Sequence, residues 1–446
     1  MTDQEPTGDW LEAQDTTPYQ PNPALESDIR ADVAIVGGGY TGLSTAYYLR
    51  RSDPSLRVVV LESNFVGYGA SGRNGGCLKT QLGMGLSSLV RRLGLEGARV
   101  AHRFMVRAVD HVGQLIKEHG IDCEYRDSGL LAVACNPAQV KRVQAEMRLA
   151  HQLGMEEVRW LDAEELRSEV NSPLFLAGVE ERCGVLNPLK FVRGMKDMAE
   201  SAGAEIYEGS PVEALHTQPK LRLETPQGSV APSKVVLATN AFSGRIRQLR
   251  GKALPLFVYS VTTEPLTEEQ LAAIGWRRRH WIYDARRIAF GYRLTLDNRL
   301  RVGVGDIAYF YGGGLDHDQH PPARRLLEKR IAEVFPSLAG VSIAHHWGGP
   351  VSFPPDFFPA IGYLGKDRRV IYSLGYMGWG VPLSTIAGQI LRDLVREERS
   401  ELTELPFVNR RVIPLPPEPL RFAFVQAVRM AMRAEDAWGA RTGRRE

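Results

Sequence analysis

A chain of 446 residues with 43% hydrophobic and 24% charged side chains has enough apolar material for two or three domains with sizeable cores. Its formal net charge of +3, from 55 Lys and Arg against 52 Asp and Glu, lacks the basic excess of a nucleic-acid footprint. No apolar run approaches the roughly 18 residues of a membrane span, and no charged segment leads into a signal-peptide core. Cys77, Cys123, Cys135 and Cys183 show no C-x-x-C or metal-ligand spacing, so reduced thiols in a cytoplasmic protein are expected.

Residues 1–29, rich in Pro, Asp, Gln and Thr, read as an extended arm. The segment ADVAIVGGGYTGLSTAYYLRR then predicts a strand, a glycine turn and a helix. Residues 57–61 predict a second, fully buried strand of the parallel kind. Leu89, Leu93, Val100, Phe104, Ala108 and Val112 recur with helical period over 88–118. A strand at 129–135 follows, then helices near 137–153 and 188–201 and an apolar strand at KVVLATN. From 254 to about 305 the chain alternates, as in LFVYSVTT and RLRVGVG, which predicts an antiparallel sheet. RRLLEKRIAEVF is amphipathic, RVIYSLGYMGWG with VPLSTIAGQILRDLV predicts strand, glycine loop and helix, and a closing helix is expected near 420–432. Segments ordered this way imply an α/β fold in which a second domain interrupts a cofactor domain.

In VAIVGGGYTG, Gly37, Gly39 and Gly42 stand in G-x-G-x-x-G register between strand and helix. The first glycine makes the turn, the second admits a pyrophosphate, and the third allows close helix–strand packing. The helix start offers free N–H groups and partial positive charge to phosphates. Glu62 ends the second strand, 20 residues beyond Gly42, where an acid binds an adenosine ribose. A nicotinamide enzyme needs only this unit, and a flavin disulfide reductase would add a second motif and a cysteine pair. Instead a second glycine-rich loop, GASGRNGGCL from Gly69 to Leu78, follows at once. Its placement suits FAD, which extends past its pyrophosphate.

ADVAIVGGGYTGLSTAYYL, LES with GYGASGRNGG, VVLATNAFS, WGGPVSFPPDFFPAIG and GYMGWGVPLSTIAGQIL together resemble the FAD-dependent amine and amino-acid oxidases of the D-amino-acid oxidase superfamily. GASGRNGG with ATNA, and LPFVNRRVIPLPPEPLRF, are most similar to its γ-glutamylputrescine oxidoreductase branch. The resemblance implies a mixed α/β architecture like that of glycine oxidase. A discontinuous Rossmann-like FAD-binding domain (30–115, 184–253 and 343–410) would pair with a substrate domain (116–183 and 254–342) carrying an antiparallel sheet. An N-terminal arm (1–29) and a C-terminal extension with a helix (411–446) would flank them, the helix docking on the FAD domain rather than a membrane surface.

It further implies that Gly37, Gly39, Tyr40, Thr41 and Gly42 surround the pyrophosphate, with Glu62 and Ser63 at the ribose and Val212 at the adenine. Gly69, Ala70, Ser71, Arg73, Asn74, Gly75 and Gly76 would line the stretch towards the flavin, Arg73 and Asn74 as polar contacts, together with Thr239 and Asn240. Gly375, Met377, Gly378, Trp379, Gly380 and Val381 would meet the flavin pyrimidine edge, the helix from Val381 directing its positive end there. Trp379 stands where relatives often carry His. Covalent sarcosine oxidases carry a Cys near the T-x-D segment, and this chain reads GGPVSFPPD, so non-covalent FAD is expected. Cys77 reads as packing.

The implied reaction is hydride transfer from an amine or amino acid, such as a γ-glutamyl-polyamine or an N-substituted amino acid, to flavin N5. The imine then hydrolyses, and O₂ or a carrier takes the electrons. Tyr259, Tyr292 and Arg293 on the covering sheet are the substrate-side candidates with Trp379, an Arg fork being suited to a carboxylate. Arg293 could instead pair with Asp297, Lys79 could face the flavin as basic residues do in sarcosine oxidase but reads rather as a surface residue, and His345 and His346 precede Trp347 on a strand that turns at least one of them away. Asp356 and Pro359 read as a structural turn. A flavin monooxygenase fed by NAD(P)H and a non-catalytic FAD-bound assembly protein remain open beside this reading.

Overall fold

In the computed structural model, residues 11, 13 and 18–442 are described. The apolar runs read as parallel strands form one eight-stranded sheet. Strand Asp28–Val36 lies at its centre, parallel to Ser229–Leu237 on one side and Val58–Leu61 on the other. Glu205–Tyr207 extends the sheet at one side and Val370–Leu374 at the other, both parallel, and Ala360–Leu364 closes the second edge antiparallel. Every residue of Val58–Leu61 is buried, because strand side chains alternate between two covered faces. Val33, Ile35, Val58 and Val60 face helices Tyr40–Ser52, Pro188–Ser201 and Gly380–Arg396. Ala34, Val36, Val59 and Leu61 face the opposite layer with Leu223 of a small hairpin.

The second eight-stranded sheet runs in the order Ile343–Phe353, Leu254–Thr263, Leu300–Val304, Phe290–Leu294, Trp281–Asp284, Leu130–Ala134, Ala177–Glu181 and Arg159–Leu161. Its pairs are antiparallel except for Trp281–Asp284 against Leu130–Ala134. One face packs on helix Pro321–Val334 and Phe335 through Phe257, Val261, Phe290 and Val302. The other face turns towards the first sheet's loops.

Several boundaries differ from the sequence expectation. Residues 343–353 were expected in the FAD domain, but their strand pairs along its length with Leu254–Thr263, so the chain returns to the first sheet only after Phe353. The first strand begins at Asp28, inside the expected arm. The described part of that arm is docked, with the Tyr19 hydroxyl donating to Glu208 at 2.7 Å and Lys196 to Asn22 at 2.8 Å. The long helix spans Leu86–His119 and breaks at Gly94, whose φ is +71°. The closing helix runs further, over Leu420–Thr442. It lies on the second sheet's loops rather than on the FAD domain, with Arg429 paired to Asp306 and Arg287 to Glu435. No helix among the described residues is long and apolar enough to cross a membrane.

A buried ion pair ties helix Pro321–Val334 to the second sheet. Asp284, fully buried, accepts from Arg330 at 2.9 Å and from the Phe290 N–H at 3.0 Å. Arg330 also donates to the Tyr292 hydroxyl at 2.8 Å. Removing one partner strands a charge in the interior, so Asp284→Ala is expected to destabilise the protein by about 3–5 kcal/mol. A lower urea midpoint checks this.

Candidate active site

The two sheets face each other across a cavity of about 670 Å³. Its walls come from loops at the ends of the first sheet, the inner face of the second sheet, and the closing helix.

At the first loop, Gly37 has a φ of +110°, and a Cβ there would stand 2.8 Å from the Ala238 carbonyl oxygen. A Cβ on Gly42 would lie 1.9 Å from the Gly37 oxygen, so no side chain fits where helix crosses strand. Helix Tyr40–Ser52 begins with no side-chain cap and no acid in its first turn. Its start at Gly39, Tyr40 and Thr41 lines the cavity, directing partial positive charge inward, with the Tyr40 N–H donating to Ser71 Oγ at 3.0 Å. Glu62 also lines it and accepts from the Gly38 N–H at 2.7 Å and the Asn64 N–H at 3.0 Å. Burial raises its carboxyl pKa, against those hydrogen bonds. Ser63, Val212, Thr239 and Asn240 also line the cavity.

The second loop is braced mostly from within. Arg73 donates to the Tyr68 carbonyl at 2.8 Å and the Gly348 carbonyl at 3.0 Å, and pairs with Asp318 at 2.6 Å. Asn74 donates to the Ala70 and Ser71 carbonyls and accepts from the Gly76 N–H at 2.7 Å. Both residues line the cavity with Gly69, Ala70, Ser71 and Gly75. These bonds tie their polar atoms to the protein, where the sequence reading had them contacting a ligand. The glycines answer to crowding beneath the loop. A Cβ on Gly75 would meet Trp281 at 2.2 Å and Arg301 at 2.3 Å, and one on Gly76 would meet the Leu186 oxygen at 1.8 Å.

A third loop leads into helix Gly380–Arg396, which also starts without a side-chain cap or an acid in its first turn. Met377 and Gly378 take left-handed backbone, at φ +52° and +87°, and nothing stands within 4 Å of a Cβ placed on Gly378. Met377, Gly378, Trp379, Gly380 and Val381 line the cavity. Gly42, Gly76 and Gly375 shape the loops from outside its lining. The Trp379 ring meets Tyr283 edge-on at 5.9 Å, and Lys79 donates to the Tyr283 hydroxyl at 2.9 Å while pairing with Glu181 at 3.3 Å. Lys79 is therefore buried, not the surface lysine expected, because its charge is matched within the fold.

On the second sheet the expected substrate-side residues do not line the cavity. Tyr292 is fully buried on the opposite face, bonded to Arg330. Tyr259 also faces away, donating to the His317 carbonyl at 2.9 Å and stacking on His320. Arg293 lies beneath the second loop, donating to the Gly75 carbonyl at 3.0 Å and the Leu186 carbonyl at 2.8 Å. Asp297, its suggested partner, binds Arg299 at 2.8 Å. Strand alternation sets this outcome: Tyr292 and Tyr259 fall on the parity that packs against the outer helix. The imidazole of His346 is engaged by Ser260 and His320, and Asp356 pairs with Arg410 and Arg92. None of these lines the cavity.

The polar and aromatic residues that the sheet does turn to it include Ser260, Trp281, Tyr283 and Arg301. Arg301 is 8% exposed and donates to Ser260 Oγ at 3.0 Å and, more weakly, to the Arg73 carbonyl at 3.4 Å. Its guanidinium lies 5.1 Å from the Trp347 ring centre. Its Nε, like Trp281 Nε1, has no hydrogen-bond partner, and no carboxylate pairs with it among the described residues. Burial, with the Arg293 charge beside it, pushes its pKa down to about 9, which leaves it cationic near neutrality. The sequence signal was present in RLRVGVG, where a charged residue sits among buried strand neighbours. Cys77 lines the cavity with its sulfur 3.2 Å from that of Cys183, and burial raises its thiol pKa, leaving it protonated and weakly nucleophilic.

Two uncapped helix starts, glycine walls that admit close backbone approach, and an acid ending the second strand fit FAD. The chain matches the DAO model, described as FAD dependent oxidoreductase, over residues 32–394. It is 32% identical over 410 residues to the γ-glutamylputrescine oxidoreductase of Escherichia coli K12, covering 89% of this chain and 92% of that one. Glycine oxidase of Geobacillus kaustophilus is 26% identical over 86% of this chain and 98% of its own. The crystal structure of glycine oxidase from that organism superposes with a TM-score of 0.71 at 22% identity, covering 86% and 99% of the two chains. L-proline dehydrogenase from P. horikoshii also reaches 0.71, at 19% identity, covering 85% and 96%; at these identities both establish the fold. Family match, fold and cavity lead to one conclusion: the chain belongs to the DAO family and is an FAD-dependent oxidoreductase.

Proposed function

We propose that the enzyme oxidises the C–N bond of an amine or amino acid that carries an acidic group, and that Arg301 holds that group. The observation that carries this reading is a buried cation without a carboxylate, with its Nε and Trp281 Nε1 unpartnered in the cavity wall. An anion against the guanidinium would neutralise a desolvated charge, which a neutral ligand would not. The 32% identity to γ-glutamylputrescine oxidoreductase and the family's glycine oxidases support an amino-group substrate. FAD, held without a covalent link by the glycine loops and the two helix starts, supplies the hydride acceptor when bound. O₂ or a carrier completes the cycle.

The chain's own residues orient the substrate and exclude water. Arg301 and Ser260 fix the acidic end, while Trp281, Tyr283, Trp347 and Trp379 wall the space with rings. No His or Asp lines the cavity among the described residues, and its acid, Glu62, stands at the first glycine loop. A substrate ammonium therefore meets no base beside Arg301 and binds productively as the neutral amine. The rate of flavin reduction is expected to rise with pH until the substrate's own amine has lost its proton. A rate independent of pH below that point contradicts this.

An anaerobic screen of polyamines, γ-glutamyl amines, N-methyl amino acids and D- and L-amino acids, read by flavin bleaching, tests the reaction. Members bearing a carboxylate are expected to bleach the flavin and polyamines without one to leave it oxidised. Bleaching by NADPH alone, or by no member, overturns the proposal. Arg301→Met is expected to weaken carboxylate substrates by about 30-fold or more, the scale of losing a buried charged hydrogen bond. Its melting temperature should stay level or rise, since an unpaired buried charge is replaced by an apolar side chain.

A further inference from the structure

The closing helix contributes side chains to the cavity, although it lies wholly beyond residues 32–394 that match the family. Val425, Val428 and Met432 line the cavity with Phe424. The spacing of 425, 428 and 432 places them on one helical face. Val425 packs in a small cluster with Leu254, Leu256 and Tyr309, while Val428 and Met432 remain half-buried at the open edge.

The helix is held at its margins by charge. Arg429 donates to both carboxylate oxygens of Asp306 at 2.8 and 2.5 Å. Asp436 accepts from the Arg287 backbone N–H at 3.0 Å, and Glu435 accepts from the Arg287 side chain at 2.8 Å and Arg142 at 3.1 Å. Asp306 and Arg287 sit on loops of the second sheet, so these contacts fix the helix across the cavity's outer edge. They also occupy the Arg287 guanidinium. Ile288, Ile307 and Leu256 line the same cavity. Among the described residues no acid lines this part of the cavity, the acids at the helix margin being engaged by arginines.

We infer that the helix Leu420–Thr442 is the outer wall of the active cavity, and that Val428 and Met432 form a specificity subsite for an apolar chain on the substrate, remote from its acidic group. The inference deepens the proposed function and rests on Arg301 as anchor. The substrate class is then an amine or amino acid with its anionic group at Arg301 and an uncharged, methylene-rich portion under the helix. A second cationic end meets no lining acid there among the described residues.

The test uses purified holoenzyme and straight-chain carboxylates from acetate to octanoate, with binding read from perturbation of the flavin absorption. Beyond the shortest members, affinity is expected to increase about fourfold per methylene, the value of a buried CH₂. Val428→Asp should flatten this increase while acetate binding persists, and Met432→Ala, which removes volume without adding charge, should reduce it. Met430→Ala, on an exposed side chain of the same helix, should retain the wild-type slope. An affinity independent of chain length in wild type, or a slope unchanged in both cavity-facing variants, overturns the subsite and leaves the Arg301 reading standing. Failure of every carboxylate to bind overturns both.

Discussion

Gly388 has no room for a side chain: a Cβ there would stand 2.2 Å from Ser44 Oγ and 2.5 Å from the Ser44 carbonyl carbon. Ser44 in turn donates to the Thr385 carbonyl at 2.5 Å. This contact packs helix Tyr40–Ser52 against helix Gly380–Arg396, drawn from opposite ends of the family-matched segment. Both helices begin uncapped at the same cavity. Their partial positive charges are the feature around which the other loops are arranged.

The second sheet answers with a different kind of charge. Arg301 is buried beside glycines that let Trp281 and the second loop close over it, yet no acid neutralises it among the described residues. A buried charge is costly unless paired, and an arrangement that leaves one unpaired makes sense when a ligand completes it. Arg293, close by, shows the contrast. Its guanidinium is taken up by the Gly75 and Leu186 carbonyls and serves the loop's geometry.

What was legible in the sequence was local. Gly37, Gly39, Gly42 and Glu62 could be placed because the turn, the helix start and the acid lie within one strand–helix–strand unit, and every spacing follows from that unit's geometry. The side of the second sheet was not legible. Both faces of strand Phe290–Leu294 are covered, so alternation at Tyr292 and Arg293 does not say which face meets a ligand, and a one-residue parity separates Tyr292 from the cavity. The strand Ile343–Phe353 joins the second sheet through pairing with residues some ninety positions earlier, information that its own composition does not carry. The closing helix was visible as a helix, but its seat on Asp306 and Arg287 depends on tertiary contacts that only the fold brings together.

The cavity thus has an end lined by Glu62, a span walled by the glycine loops, and a face carrying the unpaired charge of Arg301, to which the proposed function assigns the substrate's acidic group. The most direct measurement is a crystal structure of the holoenzyme soaked with a short carboxylate such as acetate. The expected result is carboxylate density within hydrogen-bond distance of the Arg301 guanidinium, beside Trp281 and facing the flavin. An Arg301 turned onto a protein carboxylate, or bound acetate confined to other arginines, would contradict the assignment of that face to the substrate.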